Sequence, residues 1–294
     1  MKKFLLTLLA AFAVTAQAAD INGAGATFPA PVYSKWAAEY NKKTGVQMNY
    51  QSIGSGGGIK QIDKKTVDFG ATDDPRKLAD LEAHNQVQFS TVKGGVVAVV
   101  NLEGVANNAI NLSAKQLADI FQGKYKTWNE VDAKLPTTSI TRVVRADSSG
   151  TTAVFTGYLA SKSPEFKDTV GAGKGVKWGT GNITAGKGNS GVAAMVKQIN
   201  GTIGYVEYAY AKQGGLVTTK LNGVEAGLEN FSNGLYELTA ATYIIFYKEG
   251  ANKEAVKFWL WALANGDKMA QDLDYVPLSD KEKAESVKIL KSLK

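Results

Sequence analysis

Cysteine is absent from all 294 residues, and histidine occurs only once, at His84. The first absence excludes a disulfide framework and a lipid-modified N-terminal cysteine. The second leaves no His/carboxylate cluster at metal-ligand spacing and no obvious base beside a serine nucleophile. His84 itself stands in Glu82-Ala83-His84-Asn85 and reads as a solvated helix residue without chemistry. Long apolar runs are also missing: after residue 18 nothing approaches eighteen uncharged apolar residues, so no membrane anchor is expected. The excess of positive charge is mild, +7 overall, and its lysines and arginines are scattered. A nucleic-acid binder usually carries a basic stripe instead, whereas a diffuse excess helps draw in small anions.

What is present begins with an address. Lys2 and Lys3 form a positive n-region, residues 4–13 an apolar h-region, and Ala16-Gln17-Ala18 a small-residue cleavage site. A signal peptide is expected over residues 1–18, with export to the periplasm and a mature chain starting at Ala19. The remainder is long enough for one large or two ordinary domains of roughly 100–200 residues each.

Strand-like and helical segments alternate along that remainder, which predicts an α/β fold. Ile21-Asn22-Gly23-Ala24-Gly25-Ala26-Thr27-Phe28 leads from a short strand into a helix with Val32, Tyr33, Trp36, Ala37 and Tyr40 on its apolar face and Pro29 and Pro31 at its first turn. Its glycines lack the third position of a dinucleotide fingerprint, where Phe28 stands. Ser52-Ile53-Gly54-Ser55-Gly56-Gly57-Gly58 follows the strand around Val46, Met48 and Tyr50, before Ile59 and Ile62 resume helical spacing. This stretch reads either as a flexible loop or as a backbone cradle for an anion. Val67, Phe69 and Ala71 then form a strand ending at Thr72-Asp73-Asp74-Pro75. Either Asp73 or Asp74 caps a turn there, or a carboxylate accepts a hydrogen bond from a protonated oxyanion. Trp128 reads as packing, with sugar stacking as the alternative. Gly181-Asn182-Ile183-Thr184-Ala185-Gly186-Lys187-Gly188 imitates a nucleotide-binding loop but carries Gly188 where the magnesium-ligating hydroxyl belongs. Two helices close the chain, the last opened by the capping box Ser279-Asp280-Lys281-Glu282.

The segment with the richest chemistry is Arg145-Ala146-Asp147-Ser148-Ser149-Gly150-Thr151-Thr152, between a strand and a helix. A hydroxyl-rich turn at a helix start leaves backbone N–H groups unpaired at the positive end of the macrodipole. Arg145 adds a forked cation suited to a tetrahedral oxyanion.

Five strings, in order, carry a resemblance. They are the segment 23–31 around Ala26-Thr27-Phe28, the segment 53–58 around Gly54-Ser55-Gly56, the segment 67–73 ending in Thr72-Asp73, the segment 145–151, and the segment 201–208 around Tyr205-Val206-Glu207. Together they resemble the periplasmic phosphate-binding protein of bacterial phosphate ABC transporters. The resemblance implies a two-domain periplasmic-binding-protein fold of type II, with two crossing strands as hinge near residues 92–101 and 237–244. It implies a first domain of residues 19–92 plus 245–294, a second of residues 93–244, and the ligand in the cleft between them. It also implies phosphate ligands at Thr27, Phe28 (through its backbone N–H), Ser55, Asp73, Arg145, Ser149, Gly150 and Thr151, with Asp147 orienting Arg145. No cofactor and no metal are expected, and no enzymatic activity. The expected partners are inorganic phosphate and the permease subunits of a phosphate ABC transporter, with the protein a monomer and no nucleic acid bound. The alternatives are another oxyanion, arsenate or sulfate, and a secreted phosphatase using Ser148 or Ser149. This chain departs from the family in having Gly56 where a second serine is frequent, Val144 where a second arginine can precede Arg145, and a short segment at residues 217–237.

Overall fold

Strand-turn-helix units dominate the chain from its start. The computed structural model describes residues 20–294, so the expected signal peptide and its cleavage after Ala18 lie outside the described residues. β1 (Ile21–Gly25) feeds α1 (Ala30–Thr44), β2 (Met48–Ser52) feeds α2 (Ser55–Asp63), and β3 (Phe69–Thr72) precedes α3 (Leu78–Ala83) and the long β4 (Gln86–Asn101). Next come β5 (Asn111–Leu112), α4 (Ala114–Gln122), α5 (Trp128–Val131), β6 (Thr141–Arg145), α6 (Gly150–Lys162) and α7 (Pro164–Thr169). β7 (Ile183–Gly186) runs into α8 (Gly188–Gln198), and β8 (Thr202–Glu207) into α9 (Tyr208–Gly214). β9 (Val217–Thr218), β10 (Lys220–Leu221) and α10 (Leu228–Ser232) fill the short segment before β11 (Thr239–Tyr247). The end is helical: α11 (Lys253–Asn265), α12 (Asp267–Gln271) and α13 (Asp280–Lys291). Among the described residues no helix is long and apolar enough to cross a membrane.

The strands line up in the order β2-β1-β3-β11-β4-β8-β6-β7, with β9 beside β4. β4 joins two halves of this sheet. Gln86 to Gly95 pair antiparallel with β11, whereas Val96 to Asn101 pair antiparallel with β8. The partner changes just after the Gly94-Gly95 pair, where close packing calls for glycine: a Cβ on Gly95 would lie 2.3 Å from the Phe231 ring, and one on Gly94 3.0 Å from that of Phe28. On either side of β4 the flanking pairs β2/β1/β3 and β8/β6/β7 are parallel. Parallel strands align their carboxyl ends, and in open α/β sheets ligands bind outside those ends. The turns after β1, β2, β3, β6 and β7 meet at a common cleft.

Each half has its own aromatic nucleus. Tyr33, Phe69, Phe89, Phe246 and Trp259 interlock on one side of the crossing, with Tyr33 and Trp259 centroids 4.9 Å apart. Phe121, Phe155, Trp178 and Tyr205 do so on the other, where the Phe155 and Tyr205 rings stack at 4.2 Å. Rings of this size bury roughly 150–250 Å² each, so these two nuclei stiffen the halves separately and leave β4 and the chain entering β11 as the connections.

One sequence expectation, the start of the second helix, needs adjustment. The glycine-rich stretch after β2 is not a loop that gives way to a helix at Ile59, because α2 already starts at Ser55. Only Gly54 takes positive φ, at 90°, while Gly56 and Gly58 serve close approach: Cβ atoms there would lie 2.2 Å from Ser148 Oγ and 2.4 Å from Gly25 Cα. Trp128 is packing, fully buried with Nε1 donating to the Gly201 carbonyl at 3.0 Å. The loop that imitates a nucleotide site splits into β7 and the start of α8, with Lys187 exposed. His84 ends α3 and is partly exposed, and its Nδ1 lies 2.8 Å from the Asp80 carbonyl oxygen, away from the cleft turns.

Candidate functional site

Four helix starts meet at the cleft. Neither α1 nor α2 nor α8 is capped by the side chain of its own N-cap residue, and the first-turn N–H groups of Gly56, Gly188 and Asn189 are engaged instead by Ser148, Asp147 and Thr27. The fourth, α6, is capped by Ser149, whose Oγ accepts from the Thr152 N–H at 3.0 Å. The structure brings all of the expected site residues together here. Gly150 rests on the opposite half so closely that a Cβ would lie 2.3 Å from Ser55 Oγ and 2.7 Å from Asp73 Oδ2. The Gly56 N–H donates to the Ser148 carbonyl across the cleft at 3.0 Å, and Lys174 Nζ reaches Asp74 Oδ2 at 2.6 Å. These contacts describe two halves closed on each other.

Arg145 is the fixed cation. Its side chain is 1% exposed, with Nε and Nη2 donating to Asp147 Oδ1 and Oδ2 at 2.8 and 2.5 Å. Asp147 Oδ1 also accepts the Gly188 N–H at the start of α8. Burial pushes the Asp147 carboxyl up, but the Arg145 hydrogen bonds and charge, with the Gly188 amide, outweigh it and hold the group below its ordinary value. Arg145 Nη1 is left buried without a hydrogen-bond partner among the described residues. A buried guanidinium N–H without an acceptor costs about 1–3 kcal/mol, so this donor marks where an anion belongs.

Every hydroxyl of the set is spoken for as an acceptor. Ser55 Oγ accepts from the Asp73 N–H at 3.1 Å, and Ser149 Oγ from Thr152. Thr27 Oγ1 accepts twice from Asn189, from its N–H at 3.1 Å and its Nδ2 at 2.7 Å, and Thr151 Oγ1 accepts from the same Nδ2 at 3.2 Å. A hydroxyl has one proton to give, so each of the four keeps its donor for another partner. The carbonyls of Thr27 and Phe28 are meanwhile taken by Tyr210 OH and Tyr275 OH, both at 2.6 Å, so this stretch has its N–H groups left to offer.

Asp73 is the exception in a field of donors. It is buried at 3% exposure, and Thr242 Oγ1 donates to its Oδ1 at 2.9 Å. Burial raises the carboxyl to about 7, against the pull of Thr242, Arg145 and Ser55. The turn is closed by Thr72 Oγ1, which accepts from the Asp74 N–H at 3.1 Å and donates to the Asp74 carbonyl at 2.8 Å, and not by either carboxylate. A carboxyl poised near 7, with Oδ2 turned toward Gly150, can accept a proton from an oxyanion that still carries one.

The sequence did not single out Asn189, Glu207, Thr242 or Tyr275, all buried. Glu207 ends β8, where its Oε2 accepts from Tyr275 OH and the Ala209 N–H, both at 2.9 Å. Burial raises its carboxyl well above the ordinary value, and Oε1 has no hydrogen-bond partner among the described residues. Arg142, on the same strand as Arg145, belongs elsewhere: it is tied to the carbonyls of Phe121, Gly179 and Thr180.

Known proteins share this architecture. The family model of a PBP superfamily domain matches residues 10–265. The chain is 45% identical to the phosphate-binding protein PstS of Pasteurella multocida, over 94% of this chain and 91% of that one. It is likewise 45% identical to PstS of Haemophilus influenzae, over 90% of each. Among solved structures, a phosphate-binding protein from Stenotrophomonas maltophilia superposes with a TM-score of 0.72 at 19% identity, covering 92% of this chain and 94% of that one, a likeness of fold.

Proposed function

This chain belongs to the PBP superfamily and, within it, to the PstS phosphate-binding proteins, and from that premise we propose that it binds inorganic phosphate in the periplasm and delivers it to an inner-membrane ABC transporter for uptake. The observation that carries the reading is the buried Nη1 of Arg145, without a hydrogen-bond partner among the described residues, amid hydroxyl and amide donors and opposite the raised carboxyl of Asp73. Thr27, Phe28, Ser55, Arg145, Ser149, Gly150 and Thr151 are the donors in this proposal, and Asp73 is the acceptor. Neutral donors at helix starts hold a buried dianion without a matching set of full charges. Arg145 supplies the one strong cation, oriented by Asp147.

Selection follows from the proton count. Phosphate near neutral pH has a proton for Asp73, whereas sulfate has none and binds only once Asp73 has taken a proton from solvent, so discrimination grows as pH rises above the raised carboxyl. Arsenate shares the geometry and protonation of phosphate and is expected to compete. Residues 19–92 with 245–294, and residues 93–244, are the two domains of this proposal, closing about β4 and the chain entering β11. The closed pair presents one composite face to the permease, with the protein a monomer and its signal peptide removed after Ala18.

Binding without turnover is the chemical expectation. Ser149 Oγ is occupied as the α6 cap, and the neighbouring Asp147 is engaged by Arg145 and Gly188 and does not serve as a base. The test is calorimetric titration of protein stripped by unfolding and refolding. One-to-one phosphate binding, with sulfate weaker by a margin that widens from about pH 7 to 8.5, and no hydrolysis of a chromogenic phosphate ester, is the expected result. Failure to bind phosphate overturns the reading.

A further inference from the structure

Asn189 occupies a position that the family resemblance did not assign to the site. It sits in the first turn of α8, fully buried, and its side-chain amide is saturated by three groups from three elements. Oδ1 accepts the Glu207 N–H at 2.8 Å, which fixes the orientation of the amide, since a backbone N–H can only donate. Nδ2 is thereby turned toward Thr27 Oγ1 and Thr151 Oγ1, at 2.7 and 3.2 Å. Thr27 comes from the turn after β1 and Thr151 from α6, so one amide group spans the cleft and touches a hydroxyl on each side.

We propose that Asn189 is a positioning residue for phosphate: it sets both threonine hydroxyls as donors toward the anion and fastens the two halves in the closed arrangement. The proposal rests on the phosphate reading of the site. For Thr27 the logic is complete, because Asn189 fills both lone pairs of Oγ1 through its own N–H and Nδ2, leaving that hydroxyl only its proton to offer. For Thr151 a single bond from Nδ2 does the same on the other wall. Without Nδ2, Thr151 Oγ1 is free to rotate and Thr27 Oγ1 keeps only the Asn189 backbone N–H, so the hydroxyl pair is no longer held in one polarity and a side-chain bond between the halves is lost. Ser55 and Ser149 are polarised by backbone amides within their own halves, so Asn189 is the side chain whose action depends on closure.

A double-mutant cycle reads this directly. Asn189→Ala is compared with wild type, and again in a Thr27→Val, Thr151→Val background, by phosphate titration at neutral pH. In the wild-type background Asn189→Ala is expected to raise the phosphate Kd about a hundredfold, the scale for losing control of two buried hydrogen-bonding groups. In the double-valine background the same change is expected to cost less than about threefold, because the hydroxyls it acts through are gone. A residue that merely supports the end of β8 would cost the same factor in both backgrounds, and that result overturns the proposal, as does a wild-type-background effect below about threefold. If Asn189→Ala does not give folded protein, Asn189→Ser takes its place with the same expectations, since a serine can still accept the Glu207 N–H but cannot span both threonines. Absence of phosphate binding by the wild type overturns the functional reading and this proposal together. Wild-type binding with equal factors overturns the role of Asn189 alone.

Discussion

Replacing Asp73 with asparagine tests the selection mechanism at its source. In the closed arrangement burial moves this carboxyl from its ordinary 3.8 to about 7. Near neutral pH the buried carboxyl is therefore balanced between its two protonation states, where an exposed aspartate would be ionised. Phosphate can provide the proton itself. Sulfate cannot, and binds only when Asp73 has taken a proton from solvent. Acidification from pH 8.5 through about 7 therefore restores sulfate affinity, by roughly tenfold per pH unit and about thirtyfold in all, with a plateau below. The side-chain amide introduced by Asp73→Asn does not titrate and can donate through its N–H₂ group, so in this variant sulfate binding becomes independent of pH over the same range. Phosphate binding weakens by about ten- to a hundredfold, the scale of a hydrogen bond to a charged group. Calorimetric titration of both proteins with both anions, from about pH 5.5 to 8.5 to bracket the raised carboxyl, measures all four quantities. A wild type whose sulfate affinity does not rise on acidification, or a variant with an unchanged phosphate-to-sulfate ratio, would refute the reasoning.

Further perturbations probe closure and the crossing region. Gly150→Ala places a Cβ 2.3 Å from Ser55 Oγ only when the halves are closed, so phosphate affinity should fall about ten- to a hundredfold. Thermal unfolding of the phosphate-free protein should not fall with it, since alanine favours the helix by about 1 kcal/mol over glycine. Lys174→Ala removes a half-exposed ion pair with Asp74 across the cleft, and stopped-flow release of phosphate should quicken by only about two- to fivefold, with the difference vanishing in high salt. Glu207→Gln carries a pH signature in stability. Because burial raises the Glu207 carboxyl, its folded form is favoured in acid and destabilised as pH rises from the ordinary value of 4.5 toward the raised one. The glutamine variant should thus melt with the wild type near about pH 4 and above it at about pH 8, and a constant offset across that range would remove the assignment.

The turns of the cleft were legible in the sequence because each repeats one local pattern, a short strand followed by small or hydroxyl residues and then apolar residues at helical spacing. That pattern fixes where amides are unpaired, and chain order supplied the rest. The start of α2 was less legible for a physical reason: Gly56, Gly57 and Gly58 carry no apolar signal, so periodicity begins only at Ile59, well after the helix does at Ser55. What makes those glycines necessary is contact with Gly25 and Ser148, and a single sequence does not show contacts between distant segments.

Asn189 shows the same limit at the site itself. It stands one residue beyond the string that imitates a nucleotide loop, and nothing local indicates that its amide meets Thr27, 162 positions earlier. One signal was available: the segment ending β7 and opening α8 repeats the strand-turn-helix pattern of the other three turns, with an amide side chain in place of a hydroxyl. The difference has a chemical meaning. Hydroxyls at the other helix starts each offer a single proton to the anion, whereas an amide N–H₂ donates twice and accepts nothing at that end, so it suits the place where two hydroxyls from opposite walls must be held in one polarity. An anion site assembled from two halves needs its donors fixed only when the halves meet. A group that bonds to both walls supplies that condition, and thereby ties the strength of phosphate binding to closure.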